Sequence, residues 1–268
     1  MQLWFLDTIR GKREYENLTI LNELRQAVTN DEFLLYYQPK IDIRSKEIVG
    51  MEALIRWDNP NRGLIFPDKF IPLSEETGLI FPIGEWVLRE ACLQNKKWIQ
   101  MGYKPRRVSV NISARQFQYY NFLDIVSNIL AETRLRPEYL GLEITETTAI
   151  SDIEYTIDVL NKLKELGVFV IMDDFGTGYS SLSYLKEMNI DEIKIDRAFI
   201  WDIEKNEKNR AISRTIALLA KQFNILVTAE GVETKEQLDI LEEIDCDIAQ
   251  GYYFSKPIPA KEFEKLLD

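Results

Sequence analysis

Apolar and polar positions along this chain alternate between two periods. Eight short, β-rich runs stand out: Phe33–Tyr37, Ile48–Trp57, Val108–Ile112, Leu140–Thr145, Val168–Met172, Glu192–Ile195, Ile225–Ala229 and Ile248–Phe254. Between most of them, apolar residues recur every three or four positions, over Ile83–Met101, Phe122–Thr133, Ile153–Leu166, Asn209–Phe223 and Lys235–Ile244, which predicts amphipathic helices. Gly102 and Gly167 fall just past two of these patterns, where helix C-caps are expected. An earlier pattern over Lys12 to Asn30 places Leu18, Leu21, Leu24 and Val28 on one helical face. Strands alternating with helices predict an α/β fold, a (β/α)8 barrel of the TIM type, and such a barrel needs roughly 250 residues. Only Pro39–Glu47 joins the first two strands, too little for a crossover helix. That pair is therefore expected to be antiparallel, and the barrel to be modified at its start. Residues 1–20 read as a lead or linker helix, the tail of a regulatory region, and residues 21–268 as the domain.

Composition narrows the chemistry. The chain has no histidine, which removes Ser-His-Asp and Cys-His nucleophiles and His-ligated zinc or iron. Acid–base work falls to carboxylates, lysine or metal-bound water. Cys92 and Cys246 are far apart, outside any CxxC, and read as small buried hydrophobes in a reducing compartment. No run approaches the roughly 18 apolar residues of a membrane span. Met1–Leu6 leads into mixed charge without a signal-peptide core. These features point to a cytoplasmic domain without membrane contact of its own. The net charge of −11, from 33 basic and 44 acidic residues, disfavours nucleic acid polymers. A small phosphate ligand held through divalent cations remains compatible, because the cations invert the local charge.

Polar residues gather at the predicted C-terminal strand ends, where barrel enzymes build their active sites. Glu52 lies in the second strand and Asn111 ends the third. Glu143 and Glu146 end the fourth, Asp173 and Asp174 the fifth. Lys194 lies on the sixth, Glu230 ends the seventh, and Gln250 falls in the eighth. Singly, each reads as readily as a salt bridge or a helix cap. Together, carboxylates sharing one mouth repel unless something neutralises them. Oxygen donors from Asp, Glu and Asn suit Mg²⁺ or Mn²⁺, and two such ions about 4 Å apart would clamp a phosphodiester and activate water.

The run Asp173-Asp174-Phe175-Gly176-Thr177-Gly178-Tyr179-Ser180 contains Asp-Phe-Gly, but the chain lacks a kinase catalytic loop and its glycine loop. Gly176-x-Gly178 lacks the third glycine of a dinucleotide fingerprint. Adjacent aspartates can instead supply a bridging and a terminal ligand, followed by a mobile glycine-rich loop.

Seven ordered blocks then identify the chain as similar to the EAL family. They are Glu52-Ala53-Leu54 with Arg56-Trp57, Asn111-Ile112-Ser113, Glu143-Ile144-Thr145-Glu146, Asp173 to Ser180, Lys194-Ile195-Asp196, Ala229-Glu230-Gly231-Val232-Glu233, and Gln250-Gly251-Tyr252. The match runs from about Leu21 to the C-terminus. The resemblance implies a bacterial signalling hydrolase, a phosphodiesterase that uses two Mg²⁺ or Mn²⁺ ions to open cyclic di-GMP to linear pGpG. It implies that Glu52, Asn111, Glu143 and Asp173 ligate one metal. Asp173 would bridge to the second, completed by Asp174 and Glu230, with Glu230 alternatively the general base. Lys194 would orient the attacking water, supported by Gln250. Glu146 would steady the Phe175–Ser180 loop and Glu233 a loop of its own. Gln38, Arg56 and Pro257 would contact substrate. The family also implies a homodimer and an N-terminal sensory or GGDEF-type domain in the full-length protein.

Two competing functions follow from other classes. A receptor would bind cyclic di-GMP without turnover, but such relatives usually lose ligands, and none is missing here. An enolising metal-dependent barrel would fit Lys194 and the carboxylate rim, but not the seven blocks. Trp86 and Trp98 are expected in packing rather than base stacking, Glu204–Arg210 as a solvated helix start, and Tyr119-Tyr120 at a surface or interface.

Overall fold

The computed structural model describes residues 19–177 and 182–267. Gly178, Tyr179 and Ser180 of the expected loop, and all of the lead before residue 19, lie outside the described residues.

Among the described residues, ten strands form one sheet: β1 (Phe33–Asp42), β2 (Ile48–Asn59), β3 (Gly63–Ile65), β4 (Arg107–Asn111), β5 (Leu140–Thr145), β6 (Phe169–Phe175), β7 (Glu192–Ile195), β8 (Leu226–Ala229), β9 (Ile248–Ala249) and β10 (Ile258–Pro259). From β2 through β4 to β9, neighbours pair in parallel. β1 runs antiparallel to both β2 and β9 and so closes an eight-stranded barrel. β3 and β10 are short antiparallel additions outside that ring. The eight predicted strands are the eight of the ring, with the reversed first strand where the short connection placed it.

The cause is local. Asp42 turns the chain back by accepting the backbone N–H groups of Arg44 (3.1 Å) and Ser45 (2.7 Å), an Asx-type turn. The hairpin register sets Gln38 opposite Glu52 and Lys40 opposite Gly50.

The helices are α1 (19–27), α2 (Pro67–Thr77), α3 (Ile80–Gln100), α4 (Ala114–Phe117), α5 (Phe122–Thr133), α6 (Glu146–Ser151), α7 (Ile153–Glu165), α8 (Leu182–Leu185), α9 (Glu207–Gln222), α10 (Lys235–Glu243) and α11 (Ala260–Phe263). Gly102 and Gly167 close α3 and α7 at φ of 95° and 85°, the left-handed geometry expected there. The sequence pattern does not pick out α2, which contains Pro67 and, inside the helix, Pro72. Pro67 occupies the first turn, where the missing N–H costs nothing. Glu204–Arg210 contains the start of α9, with Asn206 as its cap.

The eighth strand is shorter than predicted, ending at Ala249 rather than running to Phe254. Val232 donates to Gln250 O at 3.1 Å and accepts from the Tyr253 N–H at 2.9 Å, which turns the chain across the barrel mouth instead of extending it.

β5 and β6 are almost wholly buried, as strands covered on both faces must be. Trp98 packs on Tyr37 and Phe263 at ring separations of 4.8 and 5.5 Å, and Trp86 on Phe33 at 5.7 Å, so both tryptophans serve packing as expected. Tyr120 is exposed and its ring lies 4.8 Å from that of Tyr119. Among the described residues, no helix is long and apolar enough to cross a membrane.

Candidate active site

Parallel strands bring their C-terminal ends to one rim, and side chains alternate between the inside and the outside of the barrel. Residues far apart in the chain therefore converge on Lys194 of β7, which is buried. Its ammonium lies 2.5 Å from Glu143 Oε2, 2.5 Å from Glu230 Oε1, 3.3 Å from Asp173 Oδ1 and 3.6 Å from Glu52 Oε2. Asn111 Nδ2 donates to Glu52 Oε1 at 2.6 Å, and Gln250 Nε2 donates to Glu52 Oε2 at 2.6 Å and to Gln38 Oε1 at 3.0 Å. Gln38 in turn donates to Ser255 O at 3.0 Å.

β6 changes register between Met172 and Phe175, and Asp174 sits there at φ 55°. A bulge of this kind re-aims side chains, and here it brings Asp174 together with Asp173 and Glu230. These three offer carboxylate oxygens within 4.8 Å of one another. Chain direction matters next to the bulge too. Thr145 caps α6, so β5 passes directly into that helix and Glu146 occupies its first turn. Glu146 Oε2 accepts the Gly176 N–H at 2.9 Å, tying the end of β6 to the start of α6.

The electrostatics follow from this crowding. Burial alone would lower the Lys194 pKa, but Asp173, Glu143, Glu230 and Glu52 raise it well above the ordinary lysine range, so it is a cation. Burial would raise Glu143, yet Lys194 and Lys40 hold it down at about 2. Burial and the neighbouring Glu143 push Glu52 up. Glu230 rises to about 8 through burial, with Asp173 and Glu52 adding to it against Lys194. Asp174 rises to about 6 through burial, Asp173 and a hydrogen bond with Asp196.

The donor set suits a hard divalent cation. The converging atoms are carboxylate and amide oxygens, without histidine or thiolate, as Mg²⁺ and Mn²⁺ prefer. Gln250 Oε1 is buried there without a hydrogen-bond partner, an acceptor left for a cation, water or ligand.

The structure thus brings together Glu52, Asn111, Glu143, Asp173, Asp174, Lys194, Glu230, Gln250 and Gln38. Glu233 lines the same mouth, a cavity of about 280 Å³, and its N–H is held by Gln237 Oε1 at 2.7 Å. Arg56 stands four residues beyond Glu52 on β2, with its guanidinium 5.4 Å from the Tyr36 ring centre and 4.9 Å from that of Phe66. Its Nη1 donates to Ile55 O at 2.8 Å, while the buried Nε has no partner. Pro257 is half-buried just before β10 and is not among the residues lining the cavity.

Sequence reasoning missed Arg197, Trp201 and Tyr252 at the mouth, and Lys40 and Glu192 beneath it. Lys40 had a usable signal: it follows Gln38 by two residues, so both face the same side of β1. A second, more apolar recess of about 420 Å³, between α2, α3 and the ends of β2 and β4, reaches Asn111 and Glu143.

The chain is similar to known proteins. The bifunctional diguanylate cyclase/cyclic di-GMP phosphodiesterase MucR of Pseudomonas aeruginosa is 42% identical over 258 residues, 96% of this chain and 38% of MucR. The cyclic di-GMP phosphodiesterase NbdA of the same organism is 40% identical over 255 residues, 95% of this chain and 33% of NbdA. This chain therefore spans well under half the length of either. A solved structure of the PaMucR phosphodiesterase in complex with c-di-GMP superposes with a TM-score of 0.89 at 42% identity, covering 91% of this chain and 99% of that one. The sequence profile of the EAL domain matches residues 21–257, and with the barrel and its rim in the arrangement described, the chain belongs to the EAL domain family.

Proposed function

We propose that this domain hydrolyses cyclic di-GMP to linear pGpG with the help of two divalent metal ions. The observation that carries this reading is the convergence of Glu52, Glu143, Asp173 and Glu230 on Lys194, with Asp174 brought to the same rim. Four carboxylates around one ammonium leave excess negative charge that a phosphodiester would meet only if cations intervened. The names of MucR and NbdA and the c-di-GMP complex of PaMucR supply the substrate.

Glu52, Asn111, Glu143 and Asp173 would hold one Mg²⁺ or Mn²⁺ ion, and Asp173, Asp174 and Glu230 the other. When bound, such ions polarise the phosphodiester and make water a better nucleophile at neutral pH. The chain supplies the rest. Lys194, cationic and gripped by four carboxylates, fixes their positions and presents positive charge where phosphate charge builds up. Gln250 and Gln38 orient Glu52 through their amides. Arg56, with an unsatisfied Nε, is placed to take a phosphate oxygen, and Pro257 to pack against a guanine at the edge. Glu230, raised toward neutrality, is suited to accept a proton from the attacking water if it is not committed as a ligand. In the reaction the water oxygen bonds to phosphorus, the P–O bond to one ribose breaks, and the released oxygen is protonated. Glu146 and Glu233 steady the loops that flank the mouth.

Incubation of the purified domain with cyclic di-GMP in Mg²⁺ or Mn²⁺, beside an EDTA control, tests this by chromatography. Metal-dependent appearance of pGpG is expected. Binding without any product in either metal would replace the enzyme by a receptor, and absence of both would remove the substrate assignment.

A further inference from the structure

One layer below the rim, the barrel holds charges that the reaction above does not use. Lys40 lies on β1, and only 4% of it is exposed. Its ammonium donates to Glu143 Oε1 at 2.9 Å and to Glu192 Oε1 at 3.0 Å. Glu192, at the start of β7 and 1% exposed, also accepts the Thr228 hydroxyl at 2.7 Å. Each oxygen of Glu143 is therefore taken by a different lysine: Oε1 by Lys40 from inside the barrel, Oε2 by Lys194 at the rim. Glu192 precedes Lys194 by two positions on β7, and Lys40 follows Gln38 by two on the reversed strand β1, so both lie one layer beneath the rim.

A buried ion pair contributes little to stability compared with a well-packed apolar pair of the same shape. This one, however, does something an apolar pair could not do. It pins one oxygen of a carboxylate whose other oxygen faces the rim. We propose that Lys40, braced by Glu192 and Thr228, is a positioning residue for the metal site. It holds Glu143 by Oε1 and so fixes the carboxylate with Oε2 turned to the rim, beside Lys194. The inference rests on the metal-site reading above. The competing account is that Lys40 only balances the buried charge of Glu192.

The variant Lys40→Met/Glu192→Gln separates the two, because it removes one charge of each sign and leaves Thr228 an acceptor. The readout is Mn²⁺ affinity by calorimetry without substrate, alongside the thermal unfolding of the metal-free protein. The proposal expects affinity to fall about ten-fold or more, the range seen when groups behind a metal ligand are lost, with cooperative unfolding retained. Lys40→Met alone is expected to show the same loss, and should that variant fail to fold with Glu192 stranded, the double variant still decides. Wild-type affinity in the double variant overturns the proposal, as does loss of its cooperative unfolding, which would make the pair structural. Absence of Mn²⁺ binding by the unaltered protein would overturn the metal-site reading itself, and this inference with it.

Discussion

Lys194 and the carboxylates around it oppose one another in stability and function. Glu52 is buried beside Glu143 and Asp173, and its charged form is disfavoured there, so deleting it relieves the metal-free fold while removing a ligand. Glu52→Ala is therefore expected to keep its melting temperature within a few degrees and to lose more than about 100-fold in turnover of cyclic di-GMP, since a direct ligand matters at least as much as the groups behind it. Near-normal turnover would contradict the metal assignment. The raised carboxylates also set a pH dependence. Glu230 near 8 and Asp174 near 6 hold protons that the unfolded chain, at ordinary values of 4.5 and 3.8, would already have released. The metal-free protein accordingly loses stability as pH rises through about 4 to 8. A bound metal displaces those protons, so its affinity rises across the same window. The increase in melting temperature caused by Mg²⁺ should be larger at pH 8 than at pH 6, and a pH-independent increase would show that neither carboxyl meets the ion. Most rim residues were legible because a polar residue at the end of an apolar strand stands out. Lys40 was legible only as a polar residue in step with Gln38 on β1, and Glu192 was not, since its partners Lys40 and Thr228 come from other strands and meet it only once the barrel has formed.

Two elements carry the rim's geometry. The first is the end of β6, where the register shift turns Asp174 inward and Gly176, at φ 96°, donates to Glu146. Losing that anchor loosens the bulge without touching substrate. Glu146→Ala should thus lower kcat about ten-fold while changing KM little, the pattern of an interaction realised in the transition state; unchanged kcat would rule out the anchoring role. The second is the turn after β9. A Cβ added at Gly251 would stand 2.1 Å from Val232 O and 2.3 Å from Val232 N, and backbone cannot move aside as a side chain does. Gly251→Ala is expected to cost about 2–3 kcal/mol, at the upper end of overpacking effects, as read by chemical denaturation, and to disturb Gln250 beside it. Gly84→Ala offers a contrast: its closest neighbours belong to the Gln116 side chain, which can swing away, so the loss there should be smaller. At this scale periodicity revealed the helices with regular faces, and glycine revealed their ends. It failed at α2, which carries one proline in its first turn and another, Pro72, inside the helix, and at β9, where Gln250 O pairs with the distant Val232 rather than with a neighbouring strand.

The whole molecule is a barrel closed by backbone ladders, with Lys194 already supplying positive charge among its carboxylates. The fold should consequently survive without metal. EDTA is expected to abolish turnover and leave far-UV circular dichroism unchanged, whereas loss of secondary structure on chelation would make the ions structural. The alternation of strands and helices, and a connection from Pro39 to Glu47 too short for a crossover, were sufficient to predict an eight-stranded barrel with one reversed strand, because periodicity and chain length are local quantities. The ordered motifs similarly marked which side chains reach the C-terminal rim, since the parity of a strand decides which way each points. Distances and charge states are another matter. That Glu143 is shared between two lysines, that Gln250 joins Gln38 to Glu52, and that Glu230 is raised while Glu143 is lowered all depend on ring closure, which sets β1 between β2 and β9 and turns β5 and β7, two places apart in the ring, toward one interior. Burial and Coulomb interactions act through space, and residues separated by more than a hundred positions acquire them only when the barrel shuts.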